Sequence, residues 1–303
     1  MSRTPTKRSD MKVLLVYFSG TGNTKLIAGL YKSAFEENGG DVDILELPLK
    51  SELPDVSDYD LIGIGYPIHA FNAPKIILRL CKKFPKRSKK AIESKRVFIF
   101  KTSGEPVRMS DVSSLKMRKI LKRRGYTVNN EYQYVMPYNI IFRHNDSAVY
   151  KMWTVAQRLV PADVKAILRG DTFLPKKMFM GGFLAWVLRC EHWGAHIIGK
   201  MFKANKQCVN CGLCQKLCPI NNIRTNKKDK IKFGGKCMMC MRCVFNCPKA
   251  AIDMRILKSW KVNGEYSFEE PPQPSPPDKH DNYCKKAYDR YYENAELRIR
   301  NSE

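Results

Sequence analysis

The sequence has no stretch of 18 or more apolar residues, so no segment reads as a membrane-spanning helix. Acidic side chains are scarce: 29 Asp and Glu face 54 Lys and Arg, a formal net charge of +25. No secretory signal is visible at the N-terminus, so the eleven cysteines are expected to be reduced, in an oxygen-poor cytoplasm. Neither G-x4-G-K-[ST] nor G-x-G-x2-G occurs, which argues against a Walker loop and a bound nicotinamide dinucleotide. No C-x3-C-x2-C triplet occurs, which excludes a radical-SAM loop. No helix-turn-helix, zinc-finger or RNP pattern accompanies the basic charge, which argues against nucleic acid as its partner. The charge is spread. It gathers at Lys82, Lys83, Lys86, Arg87, Lys89 and Lys90, and again at Lys116, Arg118, Lys119, Lys122, Arg123 and Arg124.

What is present is a doubled cysteine motif. Cys208-x2-Cys211-x2-Cys214-x3-Cys218-Pro219 returns as Cys237-x2-Cys240-x2-Cys243-x3-Cys247-Pro248, each cysteine displaced by 29 positions. This is the bacterial spacing for [4Fe–4S] clusters, and a pair of runs implies two. Three thiolates two residues apart on a tight loop converge on three corners of a cubane. The fourth, turned away by its proline, reaches the other cluster. The expected sets are therefore Cys208, Cys211, Cys214 and Cys247, and Cys237, Cys240, Cys243 and Cys218. Structural zinc sites pair two separated knuckles instead, and fit this spacing poorly. Residues 200–258 carry 14 Lys and Arg against Asp229 and Asp253. Two oxidised clusters at roughly −2 each leave that segment positive, which raises their potentials and steers an acidic partner. Backbone N–H groups, such as those of Gly212 and Asn246, are expected to point at the cluster sulfurs.

The N-terminal half alternates strand and helix. Apolar runs at 12–18, 41–47, 59–67, 96–102 and 126–135 read as strands; 24–38, 73–83, 111–124 and 146–169 read as helices. That order implies an α/β, doubly wound five-stranded parallel sheet. In the flavodoxin-like order 2-1-3-4-5, FMN sits at the switch point beside strands one and three. Loops 19–24, 66–73 and 102–108 should converge there. The loop "SGTGNT" sets hydroxyls, glycines and an amide at a helix N-terminus, a combination that binds phosphate.

Ser19, Thr21, Gly22 and Thr24 resemble the flavodoxin phosphate loop [ST]-x-T-G-x-T. Residues 11 to about 256 resemble the EFR1-type ferredoxins, in which a flavodoxin-like domain precedes a two-cluster ferredoxin-like module. The resemblance implies noncovalent FMN, with its phosphate on Ser19, Gly20, Thr21, Gly22, Asn23 and Thr24. It implies a flavin ring between the second and third loops. Tyr66, Pro67, His69 and Phe71 would flank the ring, and Thr102, Ser103, Gly104 and Glu105 would bond its pyrimidine edge. Tyr66 has a second reading, capping the third strand. His69 is read either as a surface residue or as a proton-exchange group.

The expected organisation is a basic tail (1–10), a flavodoxin-like domain (11–170), a connector (171–200), a ferredoxin domain (201–256) and a Pro-rich tail (257–303). "MFMGGFLAWVL", 178–188, is too short to span a bilayer and reads as a helix docked between domains. Residues 281–299 read as a short helix. Cys81 reads as a core thiol, and Cys190 and Cys284 as spare. FMN beside two clusters points to electron transfer between them and an external acidic carrier or redox enzyme. The alternative is an FMN-dependent enzyme reducing a small substrate (a quinone, flavin or porphyrin), with His69 and Tyr138 lining its pocket.

Overall fold

The computed structural model describes residues 11–48, 52–87, 95–176, 178–276, 278–280 and 282–303. The basic tail 1–10, Lys89, Lys90, Pro277 and Asp281 lie outside the described residues. β1 (Met11–Tyr17) shows why the first half forms a covered sheet: Val13, Leu15 and Tyr17 enter one apolar cluster, and Leu14 and Val16 enter the other. Strand alternation therefore buries both faces. α1 (Asn23–Glu37), β2 (Gly40–Glu46), β3 (Leu61–Pro67), α2 (Lys75–Lys83), β4 (Lys95–Ser103), α3 (Leu115–Arg123), β5 (Tyr126–Val135) and α4 (Asp146–Arg169) follow. The strands pair in parallel in the order β2-β1-β3-β4-β5, the flavodoxin-like order. Residues of α1 and α4 fill one core; residues of α2 and α3 fill the other.

The expected spans agree to within two residues, except near 111–124. Arg108–Ser114 is a 3-10 segment, and α3 starts only at Leu115. Its serines are used sideways: Ser113 meets the Tyr66 hydroxyl (3.2 Å) and Ser114 donates to Glu131 (2.7 Å). Short polar side chains engaged in this way compete with helix formation. α4 runs as expected because it is capped: Asn145 accepts from the Ala148 N–H (2.8 Å), and Gly170 ends it at φ +86°.

Beyond β5 the chain forms α5 (Gly181–Val187) and α6 (Glu191–Met201). The cysteine-rich segment contains β6 (Lys203–Ala204), α7 (Leu213–Leu217), β7 (Ile223–Thr225), β8 (Ile231–Phe233), α8 (Arg242–Phe245) and β9 (Ile252–Asp253). Its antiparallel sheet has the order β7-β8-β6-β9. The 29-residue repeat is a structural symmetry. Lys203 pairs with Lys232; the pairs Lys203–Asp253 and Ala204–Ile252 map onto Lys232–Arg224 and Phe233–Ile223. Left-handed backbone recurs at the same offset: Asn210 and Met239, Gly212 and Met241, Asn221 and Ala250.

The C-terminal segment returns to the first domain. α9 (Lys285–Arg300) begins four residues later than expected and places Ala295 and Ile299 in the core that holds α1 and α4. Arg158 holds Glu296 with two hydrogen bonds (2.8 and 3.0 Å), and Arg298 pairs with the buried Asp163.

Candidate functional site

The loop after β1 turns tightly because the Gly22 N–H donates to Ser19 Oγ (3.1 Å) and Gly22 adopts φ +105°. Gly22 then caps α1, and no side chain caps that helix. The N-terminal N–H groups and positive dipole end of a 15-residue helix thus stand beside the hydroxyls of Ser19, Thr21 and Thr24, a set suited to a phosphate. Thr24 Oγ1 meets Thr102 Oγ1 (2.8 Å), tying this loop to the end of β4. Asn23 donates to the Pro137 carbonyl (2.7 Å), and Asn139 donates to Thr21 Oγ1 (3.3 Å), tying it to the end of β5.

These loops border a cavity of about 550 Å³. Ser19, Gly20, Thr21, Asn23 and Thr24 line one end; Pro67, His69 and Phe71 line the second loop; Thr102, Ser103, Gly104 and Glu105 line the third. Pro137, Tyr138 and Asn139, which follow β5, join them. Tyr66 does not join them. It is fully buried, and alternation along β3 places it with Ile62 and Ile64 in the core on α2 and α3. The expectation that Tyr66 flanks a flavin is therefore replaced by a core role. Among the other predicted residues, Gly22 shapes the loop without lining the cavity. His69 and Asn72 exchange backbone hydrogen bonds (3.0 and 2.8 Å) around Ala70 and Phe71, both at positive φ. This hairpin presents His69 and Phe71 at the cavity, with His69 edge-on to Phe18 (6.3 Å).

The third loop is clasped from outside. Glu105 accepts from the Tyr138 hydroxyl and from the Tyr283 hydroxyl (3.0 Å), and the Gly104 carbonyl accepts from Tyr288. Burial and the Glu105 carboxylate hold the Tyr138 phenol far above its usual range. Tyr138 is thus a donor to Glu105 rather than a source of protons. Its ring stacks on His144 (5.2 Å, 12°), whose Nδ1 accepts from the Tyr138 N–H (3.2 Å). Burial, then the nearby His280, push His144 down to about 4. Sequence reasoning missed this clasp, because Tyr283 and Tyr288 are distant in sequence from the loop they hold.

The eight repeat cysteines fall into two groups. Cys208, Cys211, Cys214 and Cys247 line one small cavity; Cys218, Cys237, Cys240 and Cys243 line another. These are the sets expected from the spacing. Among the described residues no three Cys, His, Asp or Glu side chains converge on a single-ion site. Thiols around a cubane stand wider apart than thiols around one ion, since each sulfur holds its own iron. Burial pushes the Cys240 thiol up to about 12 and raises Cys243 and Cys214. Backbone N–H groups point at several of the repeat sulfurs, among these Asn222 at Cys218 (3.2 Å), Ala251 at Cys247 (3.3 Å) and Met239 at Cys237 (3.4 Å). The first two are again 29 residues apart. The Asn246 N–H, expected at a sulfur, instead closes the helical bond to the Arg242 carbonyl (3.2 Å).

The second thiol set lies against the first domain. A Cβ on Gly20 would overlap the Cys240 carbonyl oxygen, and one on Gly199 would overlap the Cys237 side chain. Arg242 donates to the Ser19 carbonyl and to Glu46 (2.7 Å). Met238 and Met239, between two of these thiols, line the 550 Å³ cavity together with Ile198 of α6, Leu257 and Trp260.

Residues 200–248 match the family of 4Fe-4S dicluster domains. No curated protein matches the chain. Several solved structures are similar. An archaeal flavodoxin is 17% identical, with 52% of this chain and 99% of that one covered and a TM-score of 0.36. A Bacteroides eggerthii flavoprotein is 22% identical, with 48% and 97% covered and a TM-score of 0.33. A Lactobacillus acidophilus flavoprotein in complex with FMN is 17% identical, with 41% and 93% covered and a TM-score of 0.30.

Proposed function

We propose that this chain is an electron-transfer flavo-iron–sulfur protein of the EFR1 type, with FMN in the large cavity and one [4Fe–4S] cluster on each thiol set. Its units would be the flavodoxin-like domain (11–170), the connector (171–200), the ferredoxin domain (201–256) and the tail. The observation that supports this best is the shared wall: Met238 and Met239, beside thiols of the second set, face the same cavity as the three loops. FMN, when bound, exchanges one or two electrons, and each cubane exchanges one.

The chain's own residues do the holding. Ser19 to Thr24 and the start of α1 would bind the phosphate. Pro67, His69 and Phe71 would border the ring on one side, and Thr102 to Glu105 on the other. The Tyr138, Tyr283 and Tyr288 hydroxyls keep the third loop in place. The second thiol set, pressed on Gly20 and Gly199, would hold the inner cluster. The first set includes the exposed Cys211 beside Val209 (59% exposed) and would hold the outer one, open to an acidic redox partner.

The test is an anaerobic preparation analysed for iron, sulfide and released FMN, with EPR after reduction. About eight irons and one FMN per chain are expected. Eight irons without flavin would remove the flavin from the relay, and zinc in place of iron would end the electron-transfer reading. A second reading has one observation in its favour: Ile140, Ile141, Leu257 and Trp260 extend the cavity beyond the three loops. That apolar end has the character of a small-substrate pocket, for a quinone, flavin or porphyrin. Turnover without any partner protein separates the two.

A further inference from the structure

The segment expected to dock between domains does so with only part of its surface. In α5 only Gly181 and Ala185 are buried. Gly181 sits against Val112 and Leu115, so small residues make the contact while Phe183, Trp186 and Val187 turn away. Phe179 is 92% exposed, Phe183 58%, Trp186 64%, Trp193 76% and Ile197 66%. Phe183 and Trp186 stack on each other (6.0 Å) in solvent. On α6, Trp193 and Ile197 stand one turn apart on the outer side, while Gly194, Ala195 and Ile198 line the large cavity. An exposed apolar surface of this kind marks an interaction site.

The charge beside this surface is positive. Arg189 lies between α5 and α6. Lys75 Nζ hydrogen-bonds His196 Nε2 of α6 (2.7 Å). Burial lowers the affinity of Lys116 for a proton, and Arg189, Lys82 and Lys75, all within electrostatic reach, lower it further. Among the described residues none of these four cations is in an ion pair. Protruding aromatic side chains beside these cations suit a lipid surface. Lipid hydrocarbon accepts them in any arrangement, tryptophan favours the headgroup level, and anionic headgroups meet the lysines and arginine. None of the three cavities described above is lined by Phe179, Phe183, Trp186, Trp193 or Ile197.

We infer that the α5–α6 segment docks the protein, peripherally, on an anionic lipid bilayer surface, with Phe179, Phe183, Trp186 and Trp193 in the interface and Lys75, Lys82, Lys116 and Arg189 over the headgroups. The depth is interfacial: among the described residues no helix is long and apolar enough to cross a membrane. The inference stands on this face alone and does not rest on the cofactors proposed above.

The experiment is flotation of the anaerobically purified full chain with vesicles of phosphatidylcholine, or of phosphatidylcholine and phosphatidylglycerol in equal parts, at low and high salt. Tryptophan emission is recorded in parallel. The wild type should float with the anionic vesicles, with a blue-shifted emission, and less at high salt. Trp186→Ser with Trp193→Ser should lower vesicle affinity by about tenfold or more, and circular dichroism reports whether this variant is folded. Lys116→Glu with Arg189→Glu should lower affinity for the anionic vesicles by about fivefold per cation. That pair leaves the aromatic face intact and tests the same idea if the first variant misfolds. Wild-type protein that stays with neither vesicle overturns the inference. So does vesicle binding that both variants retain. Concentration-dependent self-association that the tryptophan variant abolishes, without vesicle binding, would assign the face to a second copy of this chain.

Discussion

The two copies of the cysteine motif share their spacing and sheet pairing but have different surroundings. Cys211 is exposed, whereas its repeat mate Cys240 is 8% exposed. Val209 is 59% exposed, whereas its mate Met238 packs against the core on α2 and α3. Leu213 opens α7, whereas its mate Arg242 reaches the Ser19 carbonyl and Glu46. A duplicated unit thus keeps the positions that chemistry fixes, the thiols and the left-handed turns between them. It diverges at the positions between thiols, where one copy meets a neighbouring domain and the other meets water.

The strongest way to break the comparison is to remove one thiol from each copy. On the proposed relay, Cys240→Ser should uncouple flavin from the rest, leaving the outer cluster EPR-visible but not reduced by photoreduced FMN. Cys211→Ser should leave flavin and inner cluster in exchange and stop transfer to an external acceptor. Each block should be at least as severe as the roughly 10–100-fold losses seen when a metal site loses an outer partner. Stopped-flow spectra with EPR distinguish them, and identical effects from both variants would contradict the inner and outer assignment.

That asymmetry was not legible in the sequence, whereas the thiol grouping was. Three thiols of each group follow from local spacing, because cysteines three positions apart on a tight loop converge, and the fourth follows from the proline-terminated end of the other copy. The turn at Ser19–Thr24 was legible for the same reason: six consecutive residues place hydroxyls and glycines at the start of α1. Three features escaped. Tyr66 lies next to Pro67 in sequence, but alternation along β3 sends its ring into the core. Glu105 looked available for a ligand edge, yet Tyr283 holds it from a segment 178 residues later. The outer side of α5–α6 reads as core in a hydrophobic pattern, and only packing shows that its small residues are the buried ones.

Acid acts at His144, which stacks on the cavity-lining Tyr138, and this makes pH a control for the comparison. The His144 imidazole is held down at about 4, so the folded state binds fewer protons there than the unfolded chain. The sign follows: its contribution is complete above about pH 6.5 and is lost as pH falls toward 4, roughly 3 kcal/mol in all. Urea midpoints measured from pH 7 to 4 should fall over that window. In His144→Asn, which keeps an acceptor for the Tyr138 N–H, that slope should flatten. A slope unchanged in this variant would place the acid response elsewhere.

Arg242→Leu installs at the inner copy the residue type of the outer one. It removes two charge-assisted hydrogen bonds, to the Ser19 carbonyl and Glu46, and should weaken the contact between the modules by about 2 kcal/mol. Glu46 is partly exposed and can return to water, so the loss should not grow larger. Limited proteolysis between the domains, faster in the variant than in wild type, reads the change. Cluster content should stay at wild-type level, because no ligand is touched.

The smallest effect concerns the turns themselves. Gly212 and Met241 occupy the same left-handed position, at φ +71° and +58°. Glycine adopts this conformation freely; a side chain there is strained by about 1–2 kcal/mol. Met241 is 2% exposed within the ferredoxin core, so its packing offsets the strain. An alanine at 212 would have little to pack on, the nearest neighbour of its Cβ being the Gln215 side-chain oxygen at 3.5 Å. Gly212→Ala should therefore cost about 1 kcal/mol, and Met241→Ala should cost more despite keeping the same backbone, because it empties a filled core site. Urea midpoints of the two variants order these costs. If Gly212→Ala were the more damaging, backbone strain rather than packing would set the difference between the two copies.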